Sequence, residues 1–225
     1  MNRQTSRTAL RAGIICGAAL FASAVAAPMA GAQTTQDPGA TPGGLVVTHQ
    51  VRDNSGQRVG AVSAGIGGAK ELNYTQQVQQ NDEWCWAADG SSIEQFHGAG
   101  TTQDEFCGAG KGVQAGDCPN QPAEIDEIVR GFQGTGFNAT SANGSISWQA
   151  VQSQIDNGNP ALTGIYWTSG GGHAEVIYGY DSSNSTLKLG DPWPTYQRYQ
   201  TSTYNNYLRN SRFTWADTVV DISQG

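Results

Sequence analysis

From Pro160 to its end the chain changes character, and that change constrains the fold more than any single motif. Five β-rich runs follow one another: Ala161–Trp167, His173–Tyr180, Thr186–Leu189, Arg198–Tyr204 and Phe213–Ile222. Gly, Ser, Asn and Pro turns separate them. Upstream the apolar period is helical. A first helix is predicted from Trp84 or Cys85 to about Phe96, with Asn81 or Asp82 as its N-cap. A second covers Pro122–Phe132, where Pro122 suits the first turn and Ile125, Ile128, Val129 and Phe132 share a face. A third covers Ser147–Asp156, capped by Ser147 and stopped by Asn157-Gly158-Asn159-Pro160. Helices first and strands second predicts an α+β fold with an antiparallel sheet, not an alternating α/β sheet. The first helix contains Gly90-Ser91-Ser92, which is weak in a helix interior, so packing must hold it.

The first residues bound the compartment. Arg3, Arg7 and Arg11 form a basic start, Ala12 to Ala27 is apolar, and Ala30-Gly31-Ala32 is a small-residue cleavage site. Residues 1–32 therefore read as a secretory signal, too short in its apolar part for a transmembrane span. Ile15 stands where a lipidated Cys16 would need a small residue. An exported, membrane-free chain beginning near Gln33 is expected. It would carry nine basic and nineteen acidic residues, a net charge of −10. Without a Lys/Arg cluster, that charge argues against nucleic acid or an anionic membrane as partner. Residues 33–44 read as a flexible tail. Leu45 to Leu72 is expected to form an N-terminal arm, with short strands around the Asp53-Asn54-Ser55-Gly56 turn, or a short pro-segment. The main domain is expected over 73–225. His49 in the arm reads as a surface residue.

Removing Cys16 leaves Cys85, Cys107 and Cys118. In an oxidising compartment the pair able to close a short glycine-rich loop is Cys107–Cys118, which leaves Cys85 as the odd thiol. Pairing of Cys85 with either of the others remains open at this stage and would exclude thiol catalysis. Gly108-Ala109-Gly110-Lys111 fails as a phosphate loop, since Glu105 replaces the first glycine and Gly112 the Ser/Thr.

The residues with catalytic chemistry follow a fixed order. Cys85 opens the first helix, where the positive end of the helix dipole favours thiolate over thiol. Gln79 lies six residues before it, with Gln80 as the alternative should the register shift by one. Trp84 and Trp86 flank the thiol, as cleft walls or as core. His173 stands at the mouth of a strand behind Gly170-Gly171-Gly172, the residue type whose pKa suits a base for a thiol. Asp191, in Asp191-Pro192-Trp193, lies eighteen residues on, where a returning strand would place a carboxylate beside the imidazole. Trp193 is expected to shield that pair. Glu175 alternates onto the same face as His173 and, if close, would raise the imidazole pKa. His97 before Gly98 reads as a helix terminus and not as a base.

The series Gln79, Cys85, His173, Asp191, with Cys-Trp-Ala-Ala at 85–88, Gly-His before an apolar strand and Asp-Pro-Trp, resembles the papain-like cysteine peptidases. The similarity is to their compact bacterial members, the families called C39-like and C70 (the effector-protease type), over about Tyr74 to the C-terminus. The resemblance implies a two-lobed papain-like fold and a Cys85–His173–Asp191 triad, with Gln79 donating to the oxyanion. It also implies cleavage of peptide or isopeptide bonds through a thioester, on a protein or peptide substrate. Papain itself has asparagine at the Asp191 position, and relatives commonly have an apolar residue at the Glu175 position. The same triad serves transglutaminases, protein deamidases and peptidoglycan amidases, and an inactive binding module could keep the scaffold. No cofactor and no metal are expected, because no Cys or His cluster has ligand spacing. A monomer is expected.

Overall fold

The computed structural model describes residues 47–52, 58–64 and 68–225. The reading of residues 1–32 as a signal, of 33–44 as a tail, and of the Asp53–Gly56 turn lies outside the described residues. β1 (Val47–Arg52) and β2 (Arg58–Ala64) pair antiparallel as a hairpin that forms a unit of its own, so the two short strands expected in the arm are present.

The second unit starts earlier than expected. β3 (Ala69–Glu71) pairs antiparallel with β6 (Gly172–Asp181), so residues 69–71 belong to the sheet and not to an arm. Between them run α1 (Cys85–Phe96), α2 (Gln103–Lys111), α3 (Ile125–Gly134), β4 (Phe137–Ser141), α4 (Trp148–Asp156) and β5 (Ala161–Trp167). β7 (Thr186–Gly190), β8 (Tyr199–Thr203), α5 (Tyr204–Leu208) and β9 (Phe213–Gln224) complete the unit. The sheet order is β4-β9-β5-β6-β7-β8, with β3 on β6, and every pairing is antiparallel. This is the α+β architecture expected from helices followed by strands.

Two hydrophobic cores lie on the two faces of this sheet. Strand alternation sends Ala174, Val176 and Tyr178 of β6 toward Cys85, Trp86, Phe106 and Phe132 of the helices. Ile165 and Ile177 go instead to the core holding Val151, Ile155, Tyr207 and Trp215. The helical lobe is built around α1, in which Cys85 through Glu94 are all buried. Such a helix has no solvent face to stabilise it. Gly90 is required because a Cβ there would overlap the Phe106 ring, and Ser92 Oγ returns a hydrogen bond to Ala88 O at 2.5 Å.

Several local expectations need correction. The N-cap of α1 is Trp84, with no side-chain cap; Asn81 instead closes a turn by accepting from Trp84 N–H at 3.1 Å. α3 begins at Ile125 behind a capping box made by Glu124 and Glu127, so Pro122 lies before the helix. The glycine-rich 108–111 segment is helical in α2. Its missed signal is Thr102-x-x-Glu105, a capping box, closed downstream by Gly112 at φ 71°. β4 and α5 were also not foreseen. α4 is capped by Ser147, whose hydroxyl accepts from Ala150 N–H, and ends at Asp156 before Asn157, as read from sequence.

Candidate active site

The site is placed by the β5–β6–β7 meander. The β5–β6 hairpin turns through Gly170 (φ 95°) and Gly171 (φ 84°), so two of the three glycines before His173 serve the turn. β7 then returns beside β6 with Val176 opposite Gly190, which sets Asp191 just past the strand end. His173 Nε2 and Asp191 Oδ1 are 2.9 Å apart, and the two side chains are 4% and 1% exposed. A carboxylate only accepts, so Nε2 carries the proton and Nδ1 is the nitrogen that remains for proton transfer.

Asp191 is fixed by more than the imidazole. Trp193 N–H donates to Oδ1 at 2.8 Å and Gln200 Nε2 donates to Oδ2 at 2.8 Å. Arg198 donates to its main-chain carbonyl. Trp193 meets the His173 ring edge-on at 6.2 Å, in the shielding position expected of it. Trp167 stacks on the other side at 6.4 Å and 18° and was not foreseen, nor was Gln200. The register would have found Trp167: Ile165 pairs with His173, and two residues further along β5 shares its face. Asp191→Asn is therefore expected to lower turnover about 10- to 100-fold. Its new amide would point donors at Gln200 Nε2, and the double variant with Gln200→Glu should recover part of the loss. Equal loss in single and double variants would remove Gln200 from the site.

Glu175 stands where alternation put it. His173, Glu175 and Asp191 bring one nitrogen or oxygen each within 4.8 Å of one another. Burial, then the Asp191 charge, push the Glu175 carboxyl up to about 7, against the opposing pull of His173, a Tyr207 hydrogen bond and Arg212. Within that group His173 and Asp191 are already engaged with each other through Nε2 and Oδ1. A further carboxyl, Asp89, lies one helical turn after Cys85 and is fully buried. Burial first, then Asp191, hold it well above the usual carboxylate range, while Gln76 Nε2 donates to it at 2.8 Å.

Cys85 is the first residue of α1, which packs against β6, and it shares the helical core with Ala174, the neighbour of His173. Cys107 and Cys118 are bonded to each other, with Cα atoms 5.9 Å apart, which excludes either as partner of Cys85. Cys85 is itself disulfide-bonded in this structure. The thiol chemistry below is that of the reduced protein.

Gln79 is buried and tied to the segment just after Asp191, its N–H donating to Pro192 O at 2.9 Å. Its side-chain amide donates to Asn81 O at 2.9 Å and Asp82 O at 2.8 Å, inside the loop that enters α1. Gln80 is exposed. Trp84 and Trp86 are both buried. Their indole N–H groups donate to Pro119 O and Gln121 O, so both are core anchors and not cleft walls. His97 caps the C-terminus of α1, as read from sequence, and burial lowers its pKa.

A family model described as papain-like cysteine protease AvrRpt2 matches residues 67–212, well over half of the chain. Among solved structures, the chain is similar to the peptidase domain of Streptococcus ComA, a bifunctional ABC transporter involved in a quorum-sensing pathway. That match has a TM-score of 0.53 and 18% identity, covering 68% of this chain and all of that one. It is also similar to xylellain, a cysteine protease from Xylella fastidiosa, with a TM-score of 0.52 and 12% identity over 70% of this chain and 86% of that one. At these identities the structural likeness speaks to the fold, which is papain-like. No curated protein matches the sequence.

Proposed function

The chain belongs to the papain-like cysteine protease family described by AvrRpt2 and is a cysteine peptidase, and we propose that Cys85, His173 and Asp191 are its triad. The observation that carries this reading is the buried 2.9 Å bond between His173 Nε2 and Asp191 Oδ1, on the strand against which the Cys85 helix packs. Reduced Cys85 loses its proton to His173 Nδ1, and the thiolate is favoured by the helix end and the imidazolium. The thiolate attacks the substrate carbonyl carbon. The Cys85 backbone N–H and the Gln79 amide hold the oxyanion, for which Gln79 must turn one N–H away from Asn81 O or Asp82 O. The C–N bond breaks as His173 gives its proton to the leaving amine. Water, deprotonated by His173, then attacks the thioester and returns Cys85 as thiolate. Peptide or isopeptide bonds of a protein are the substrates, cleaved by a monomer working outside the cell after residues 1–32 are removed.

Alkylation with iodoacetamide after gentle reduction, mapped by mass, tests this. Cys85 should react at pH 6 at least about tenfold faster than an ordinary thiol, and His173→Ala should remove the advantage. Ordinary reactivity at Cys85, or reactivity indifferent to His173, would dismiss the ion pair.

A further inference from the structure

We propose that Gln103 is a positioning residue for the oxyanion donor: its side-chain amide grips the main chain on both sides of Gln79 and so fixes where the Gln79 amide can reach. This role rests on Gln79 being the donor proposed above. It adds a residue, from α2, that the mechanism does not use.

Gln79 lies in residues 76–80, a segment with no helix or strand of its own. Its peptide groups therefore have no ladder and must find partners elsewhere. Gln103 supplies two of them. Its Nε2 donates to Val78 O at 2.8 Å, and its Oε1 accepts from Gln80 N–H at 2.9 Å. Nε2 also donates to Gln77 Oε1 at 3.1 Å. A carboxamide carries a donor and an acceptor in one plane. It can thus take the carbonyl before residue 79 and the N–H after it together, as a neighbouring strand would. The N–H of Gln79 itself goes to Pro192 O at 2.9 Å, so the main chain around the donor is bonded at three successive residues.

Gln103 is built to hold and not to move. It is 1% exposed and is the first residue of α2, where the Thr102–Glu105 capping box fixes its root. That box already caps the helix, and among the described residues every hydrogen bond of the Gln103 side chain goes to residues 77–80. To reach an oxyanion, Gln79 must swing one N–H away from Asn81 O or Asp82 O. With residues 78 to 80 gripped, that swing is a side-chain rotation about a fixed root, and the amide arrives at one place. Without the grip the root can shift, and a small displacement of an oriented donor is costly in rate. Thiolate formation should not depend on Gln103.

Cleavage of labelled casein by the gently reduced full chain, paired with iodoacetamide alkylation of Cys85, tests this role. Gln103→Met keeps the length of the side chain and removes the amide. Its kcat should fall about 10- to 100-fold, while alkylation, which forms no oxyanion, keeps the wild-type rate. The double variant with Gln79→Ala should match Gln79→Ala alone within about twofold, because Gln103 acts only through that donor. Gln103→Glu has the same shape, keeps the acceptor and loses the donor. It should lower kcat in the same direction, and it takes the place of Gln103→Met if that variant does not fold. Unchanged kcat, alkylation that falls together with cleavage, or a loss that multiplies with that of Gln79→Ala overturns the Gln103 role and leaves Gln79 and the triad standing. Full activity of Gln79→Ala overturns Gln79 as the donor and Gln103 with it.

Discussion

Cys85→Ser is expected to lower hydrolysis of casein by about ten-thousand-fold or more, with the folded state retained. The proposed mechanism needs a thiolate, and a thiol ionises far more easily than an alcohol. The helix end and an adjacent imidazolium supply enough stabilisation for the first and not for the second. Serine nearly matches cysteine in volume, so the fully buried position should tolerate it, and near-ultraviolet circular dichroism would report the packing. Gln79→Ala offers a graded comparison. If one amide donor to the oxyanion is lost, kcat should fall about 100- to 1000-fold. A Cys85→Ser protein within tenfold of wild type would move the nucleophile elsewhere. A Gln79→Ala protein of full activity would leave that amide as a brace for the 81–82 loop, where its present bonds place it.

The largest stability effect is expected at Gly90. In an exposed helix, glycine to alanine normally gains about 1 kcal/mol. Here the added methyl would enter the Phe106 ring, which is fully buried and meets Phe132 edge-on at 4.8 Å. The other side of that ring is closed too, since a Cβ on Gly131 would lie 2.9 Å from it. Phe106 has no direction in which to yield, so Gly90→Ala should cost about 3 kcal/mol net, a fall of roughly 10 °C in Tm. Combining it with Phe106→Leu should recover part of the loss. Additive losses in the double variant would show that the ring is not the obstacle.

Gly90 also shows where sequence reading runs out. Propensity marks Gly90-Ser91-Ser92 as a poor helix, and it is poor; the segment is helical because α2 and α3 surround it. Likewise, Gly108 and Gly110 read as flexible loop because glycine is permissive. In the fold they sit in α2, where a Cβ on Gly110 would come within 2.9 Å of Glu127 O and the Trp86 ring. Gly110 allows close approach to α3 and α1, and Gly108 allows the backbone of residues 113–115 to fold back on α2; a lone sequence carries no trace of the neighbour approached.

By itself the sequence determined the elements whose period is strong. These are the strands β5 to β9 within a residue or two, α4 with its Ser147 cap, and the order of Gln79, Cys85, His173 and Asp191. Period and spacing are local properties, legible wherever side chains alternate or a turn residue intervenes. Only the tertiary structure decided which groups share the site. Register placed Trp167 over His173, the return of β8 brought Gln200 to Asp191, and the packing of α1 on β6 brought Asp89 into the same electrostatic environment. Nor could sequence tell that the Glu175 carboxyl sits with its pKa near 7. That property belongs to the burial and charge around a group, and those exist only once the chain has closed upon itself.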